Sequence, residues 1–497
     1  MSVCRLMGIE TEYGILAPEL PGADPGWLSS LVVGAHTVRA NATGEPWACW
    51  NAGAGLLAGV EVSRATRPHV PVDGSFASFD SATDGVQRDA LVTNVALANG
   101  GRLYVDHAHP EYSSPEVVGP RAALQWDLAG EQIVAAAAQA VNTEAGGPEI
   151  VVYKNNVDGL GASYGCHENY LVDRAVPFDT LAACLIPFLA TRQVFTGSGR
   201  VGLGEFSEHP GFQLSQRADY LVTETGLATT RRRSIVNTRD EPHADRSRWR
   251  RLHLICGDAN LFEVATFLKL GTTALVLWVI ERLDALAVAG VNASAELRAL
   301  RLAEPVAAVR EVSRDLDVNQ PLSLANGRRL TALEIQHLYR DLVIRSLTAL
   351  GSTSRIGGEP QTDIETAEVL ARWGAVLHGL QSDFVSLAGQ VEWVAKLRLL
   401  QGFRDRYDLE WDNPRLRALD LQWTDLRGEK SIYRRLLASG AVERLIDDDA
   451  VAAAVTDPPQ NTRAATRAQA VRRFGQELIA DWDSLALPDR LIPLLDV

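Results

Sequence analysis

Lysine is nearly absent from this 497-residue chain, which has only Lys154, Lys269, Lys396 and Lys430. A clamp for phosphate or carboxylate must therefore come mainly from arginine, whose planar fork suits both. Cysteine is scarce too. Cys4, Cys49, Cys166, Cys184 and Cys256 are an odd number with no CxxC pair and no zinc-ligand spacing, which argues against a disulfide framework and for a reducing cytoplasm. There is no GxxxxGK[ST], HExxH or GxSxG, so the P-loop, zincin and nucleophile-elbow chemistries lack their motifs. Long apolar runs are missing as well. The most apolar window, 264–280, holds Lys269 and three threonines and falls short of the ~20 residues a membrane span needs. It reads as a buried core helix, and no membrane segment is expected. The N-terminus reaches Glu10 and Glu12 before any apolar run long enough for a signal peptide. A net charge of -14 disfavours nucleic acid and anionic membranes as partners.

What is present is a large globular chain, 46% hydrophobic, long enough for two domains. Its densest chemistry lies in residues 99–116, NGGRLYVDHAHPEYSSPE. Asn99-Gly100-Gly101 is turn chemistry, so a strand begins at Arg102, and Pro110 is expected to end it. Alternation puts Arg102, Tyr104 and Asp106 on one face and Leu103, Val105 and His107 on the other. Asp106, Glu111 and Glu116 follow at intervals of five, and carboxylates gathered at a strand end suggest a cation site; a solvated strand end has the same pattern.

Residues 6–15, LMGIETEYGI, read as a first strand with Gly8, Glu10 and Glu12 on one face and Ile9, Thr11 and Tyr13 on the other. Two carboxylates on one strand face offer oxygen ligands to a hard cation such as Mg²⁺, though a merely solvated strand face has the same pattern and, taken alone, is the simpler reading. Residues 16–90 read as irregular, and within them 42–89 has no sustained period, as in a functional loop or disorder. A helix at 122–141 and a strand at 149–154 lead to a glycine-rich run before His167, Glu168 and Asn169, where His167 and Asn169 share a strand face. GSGRVG at 197–202 spells GxGxxG, but it follows a helix-like run and no helix follows it, so it reads as a glycine-rich loop near a site rather than a dinucleotide motif. Residues 231–251 hold eight arginines, at 231, 232, 233, 239, 246, 248, 250 and 251, readable as a solvated charged loop or as a groove for an acidic partner. His253 sits on an apolar strand. Helices are expected at 260–287 and through 320–409 with a polar connection at 347–362, then a short arginine-rich helix near 463–473.

Several of these segments match family text: GIETEYG at 8–14, the window 99–116, YKNN and HENYL within 153–171, RQVFTGSGRVGLG at 192–204, NTRDEPHAD at 237–245, RRLHLICGDANL at 250–261 and WVAKLRLLQGFR at 393–404. Together they resemble the Pup deamidases and depupylases, which with the Pup ligases belong to the glutamine-synthetase-like carboxylate-amine ligase superfamily. The resemblance implies an α/β (α+β) fold, a curved antiparallel sheet that cradles ATP and Mg²⁺ and is backed by helices. It implies a catalytic domain over 1–413, with a loop insertion at about 42–89, and a small C-terminal domain over 414–497. It further implies Glu10, Tyr104, Glu111, His167 and His253 as metal ligands. Gly8, Ile9, Glu10, Thr11, Glu12, Arg102, Ser113, Ser114, Asn169 and Arg251 would lie along the nucleotide, Arg239 near phosphate or a substrate carboxylate, and Trp423 against adenine. Asp106 would be the catalytic carboxylate. The implied activity is cleavage of the isopeptide bond between Pup and a substrate lysine, and deamidation of a C-terminal Gln of Pup to Glu, with ATP required but not consumed at each turnover. A Pup–protein ligase of the same fold and a non-catalytic Pup-binding protein are the alternatives. The partners are then Pup and pupylated proteins, with the arginines of 231–251 as a natural groove for acidic Pup.

Overall fold

A computed structural model describes residues 3–51, 92–144, 146–229, 232–351, 353–356, 359–362 and 364–494. Most of the insertion expected at 42–89, and Arg231 of the arginine run, lie outside the described residues. The fold is mixed α/β, and its contacts define two units. The larger comprises Met1–Ile9, Val118–Leu124 and Lys154–Asp447; the smaller comprises Glu10–Val117, Gln125–Tyr153 and Asp448–Val497. The expected C-terminal stretch, 414–497, is thus shared, with 414–447 in the larger unit and 448–497 in the smaller.

In the larger unit the strands Leu221–Gly226, Arg233–Asn237, Trp249–Leu254 and Cys166–Asp173 are neighbours in that order, the first pair parallel and the others antiparallel. Helix Glu263–Ile280 is buried at every residue, as its uniform apolarity requires. It stops sooner than the expected 260–287, and a separate short helix, Leu283–Val288, follows. Lys269 is accommodated there because its Nζ donates to the Asp258 carbonyl at 2.7 Å and to Asn260 Oδ1 at 3.1 Å. Helices Phe178–Thr196 and Glu263–Ile280 are long and apolar enough to cross a membrane, but both are largely or wholly enclosed by protein. The glycine-rich run at 197–202 links helix Phe178–Thr196 to strand Arg200–Leu203. Asp258 fixes it by accepting from the Ser198 N–H at 2.9 Å, while its other oxygen takes the Ser215 hydroxyl at 2.7 Å. These bonds fix the course of the loop.

In the smaller unit the sheet runs from the Glu10–Glu12 end of strand Leu6–Glu12 through His109–Ser113, Arg102–Asp106, Asn94–Ala96, Ala48–Trp50, Ile479–Ala480, Ser484–Leu487 and Arg490–Pro493. All pairs are antiparallel except Ala48–Trp50 with Ile479–Ala480. The sheets are therefore mixed, not purely antiparallel. These two strands stand more than four hundred residues apart, and no hairpin imposes a direction on such a pair. Pro110 does not end the first hairpin strand but lies inside the next. Val105 turns its N–H to Thr93 and Pro110 turns its carbonyl to Tyr13, so their pairing needs no N–H from the proline.

Gly100 holds φ +81 in the turn before Arg102, and a Cβ there would press on the Ala464 carbonyl at 2.7 Å. Residues 16–90 are less irregular than their composition suggests, since Pro25–Thr43 is a helix. Asp24 caps it by accepting from the Trp27 N–H at 2.8 Å, Pro25 fills the first turn, and Gly44 closes it at φ 74. The partner helix Pro120–Thr143 was expected, and within it Gly130 leaves room for the Tyr112 ring, which a Cβ would strike.

Candidate active site

The register of three strands in the smaller unit builds the acidic face. Glu10 opposes Ser113, which opposes Arg102; one row further on, Glu12 opposes Glu111, which opposes Tyr104. Opposed residues, and residues two apart on a strand, share a face. Glu10, Glu12, Arg102, Tyr104, Asp106, Glu111 and Ser113 therefore line one surface. The other side is core: Thr11, fully buried, donates its hydroxyl to Asp127 Oδ1 at 3.1 Å. Ile9 is buried as well, so any nucleotide contact by Ile9 or Thr11 falls to the main chain.

One oxygen from each of Glu12, Asp106 and Glu111 lies within 4.8 Å of the others. Burial, and then the charges of Glu12, Glu10 and Asp106, push the Glu111 carboxyl well above the usual carboxylate range, against a hydrogen bond from Tyr104. Glu111 Oε2 is buried and has no hydrogen-bond partner among the described residues. Close carboxylates with an orphaned buried oxygen fit a hard divalent cation, which prefers oxygen ligands. Burial and the charges of Glu111 and Glu10 likewise hold the Tyr104 phenol well above its ordinary value. Arg102 counters them, its guanidinium 3.5 Å from the Tyr104 ring centre while its Nε donates to Asn94 Oδ1 at 2.8 Å.

The larger unit carries a second polar row. His253 opposes Asn169, and Arg251 opposes Leu171. Asn169 Oδ1 lies 2.9 Å from His253 Nδ1 and accepts from an Arg251 Nη at 3.0 Å, so one amide oxygen orients both side chains. The rings of His167 and His253 meet edge to face at 4.9 Å. Gly165 is what allows His167 its position, since a Cβ there would fall on the imidazole. Arg239 is exposed, and its Nε lies 3.9 Å from Glu241.

Residues 5–486 match the model of the family described as Pup-ligase protein. The chain belongs to that family. Within it, the chain is 45% identical over 495 residues to a protein named Depupylase from Acidothermus cellulolyticus, covering 98% of this chain and 92% of that one. It is 44% identical over 486 residues to the Pup deamidase/depupylase of Mycobacterium tuberculosis, covering 97% and 90%. A Pup–protein ligase from Nocardia farcinica is 40% identical over 407 residues, covering 80% and 85%. The complex of the prokaryotic ubiquitin-like protein Pup and its ligase PafA matches with a TM-score of 0.77 at 30% identity, over 99% of this chain and 88% of that one. PafA in complex with ADP matches with a TM-score of 0.71 at 35% identity, over 81% and 86%.

Two residues singled out in the sequence, Trp423 and Glu116, are held by other partners. Trp423 is fully buried; its ring stacks on Phe262 at 6.1 Å and its Nε1 donates to Glu392 Oε1 at 3.1 Å. A ring so enclosed has no free face for adenine. Glu116 leaves the carboxylate cluster for an ion pair, accepting from Arg463 Nε at 2.7 Å and from Arg467 at 2.7 and 2.9 Å. Ser114, just past its strand, donates its hydroxyl to the Pro115 carbonyl at 3.1 Å. The arginine run is partly neutralised from within. Asp240 takes Arg174 at 2.9 Å and Arg250 at 3.4 Å, Glu241 takes Arg251 at 3.3 Å, and Arg233 is buried against the Ser163 carbonyl. Arg232, Arg239, Arg246 and Arg248 remain exposed. Glu12, which the resemblance put along the nucleotide, lies with Asp106 and Glu111, as the two-residue spacing of Glu10 and Glu12 on one strand face had suggested for a cation.

Proposed function

We propose that this chain is a depupylase and Pup deamidase, hydrolysing the amide at the side-chain carbonyl of Pup's C-terminal residue to release a substrate lysine or ammonia. The observation that carries this reading is the 44–45% identity to proteins named for those reactions over 97–98% of the chain, against 40% over 80% for a ligase. Glu10, Tyr104, Glu111, His167 and His253 are the proposed metal ligands, with Glu12 joining them beside Glu111. Arg102, Ser113, Ser114, Asn169 and Arg251 are the proposed nucleotide contacts, with Gly8, Ile9 and Thr11 contributing main chain and Arg239 toward phosphate or substrate carboxylate. When bound, ATP–Mg²⁺ supplies Lewis-acid polarisation of the scissile carbonyl. The rest is work for the chain's own residues.

Asp106 stands at the end of its strand with its side chain about one-third exposed, so substrate can reach it, while its neighbours Glu111 and Ser113 are buried and fixed. As base, Asp106 takes a proton from water as the hydroxyl oxygen bonds to the carbonyl carbon, and the proton passes on to the departing amine. As nucleophile, its oxygen forms the bond instead, the amine leaves with a proton taken from water, and the hydroxide so formed cleaves the resulting anhydride. Both routes consume one water and yield Pup ending in Glu. The five cysteines are all free, which supports the reading of a cytoplasmic protein.

The test is incubation with a Pup conjugate and, separately, with Pup ending in Gln, under ATP and Mg²⁺, followed by intact mass and ADP release. The expected result is loss of Pup from the conjugate and a one-step deamidation with little ADP, both abolished in Asp106→Asn while nucleotide binding persists. New conjugates with matching ADP would identify a ligase, and full activity in Asp106→Asn would remove that residue from the chemistry.

A further inference from the structure

Asp106 and His109 are paired at the end of a hairpin, and the two residues joining them, His107 and Ala108, have φ of 43° and 76°. Positive φ at both central positions marks the primed turn that two-residue hairpins require, and Asn-Gly or Asp-Gly ordinarily supplies it. His-Ala is a costlier choice than either, chiefly at Ala108, because its Cβ disfavours that region, which histidine enters more readily than most residues. From outside the turn is met by Ser29, whose Oγ lies 2.9 Å from the Ala108 carbonyl and 2.7 Å from the Pro25 carbonyl, so that its one proton is shared between them. What the turn achieves is specific. Continued alternation would send the His107 side chain to the face opposite Asp106; the reversal brings its Nδ1 to 2.6 Å from Asp106 Oδ2. The His107 side chain is 56% exposed. A solvated contact of that kind adds little to stability, so the fold gains no clear return on the strained turn. Strain that stability does not explain, next to a reactive group, is accounted for by function.

We propose that His107 is a positioning residue for the hydrolysis: its Nδ1–H holds one oxygen of the Asp106 carboxylate and so aims the other at the reacting carbon or water. This rests on the activity proposed above. A carboxylate on a short side chain rotates freely unless one oxygen is tied, and a misdirected lone pair costs rate rather than binding.

Two substitutions in the full chain separate the hydrogen bond from the turn. His107→Gly suits positive φ better than histidine but removes the donor. His107→Asn also tolerates positive φ and returns an N–H at nearly the position of Nδ1. With a Pup conjugate, ATP and Mg²⁺, His107→Gly is expected to lower kcat by about ten- to a hundredfold with KM within about twofold, and His107→Asn to recover most of the loss. Wild-type kcat in the glycine variant, an asparagine variant as slow as the glycine one, or an effect confined to KM would each overturn the assignment. An inactive parent chain would instead overturn the activity reading and this inference with it, whereas an active parent with an unaffected glycine variant overturns the inference alone.

Discussion

Replacing Glu116 by Gln should loosen the C-terminal part of the smaller unit, and the structure sets the size of the effect. Arg467 is fully buried, and besides Glu116 it donates to the carbonyls of Gly100 at 2.7 Å, Trp482 at 3.0 Å and Asp481 at 3.1 Å. It thus ties the turn before Arg102 to the last strands. Burial alone would raise the Glu116 carboxyl; Arg467 and Arg463 outweigh it and bring the value from 4.5 to about 2. A fall of that size corresponds to about 3 kcal/mol favouring the folded state. Because the folded value is depressed, the contribution is complete above the unfolded value near 4.5 and drains away as pH falls toward 2. The glutamine variant, like the protonated carboxyl, leaves two buried guanidinium groups without their counter-charge, so it is this same contribution that the variant loses. Hydrogen exchange reads this locally: amides of helix Ala464–Phe474 should exchange about a hundredfold faster in Glu116→Gln at pH 7. By pH 3 the difference between the two proteins should shrink to about 1 kcal/mol. Exchange rates within threefold of each other at pH 7, or a difference that does not change with pH, would refute the reasoning.

Trp423→Phe should cost about 1–3 kcal/mol by stranding the buried Glu392 Oε1, and leave KM for ATP unchanged; a tenfold rise in that KM with full thermal stability would return Trp423 to the nucleotide. Glu111→Gln should raise the Mg²⁺ concentration for half-maximal activity by about tenfold or more, and an unchanged requirement would remove Glu111 from the metal set. Charge removal at Arg232, Arg246 and Arg248 together should weaken Pup binding and flatten its decline with salt, measured by titration at several ionic strengths; wild-type binding insensitive to salt would dispose of the arginine groove.

The acidic face was legible because a strand's period of two is local. Arg102, Tyr104 and Asp106 declare a common side, as do Glu10 and Glu12, without any knowledge of what pairs with what. Which row meets which was not legible, since the register of Glu12 on Glu111 joins positions about a hundred residues apart. Glu111 and Glu116 look alike in the sequence. They part company only because Arg463 and Arg467, some 350 residues on, claim one and not the other. Helix Pro25–Thr43 carries its stop and start signals in plain view at Asp24, Pro25 and Gly44 but is buried on several sides, from Leu28 and Ser30 through Val33 and Ala35, so no one-sided apolar stripe marks it. Trp423 shows a different limit: an aromatic residue serves a core or a ligand equally well, and Glu392 decides which. His107 differs from all of these. Its misplacement arose from extending a strand pattern one residue too far, across a turn whose own residues, His and Ala, give no turn signal. Elsewhere the local rules fail because a distant partner overrides them. Here the distant contact that the turn receives, from Ser29 to the Ala108 carbonyl, is to the main chain and would serve Asn-Gly equally well, and a departure from local preference that borders the reactive carboxylate is where selection for chemistry over stability would show.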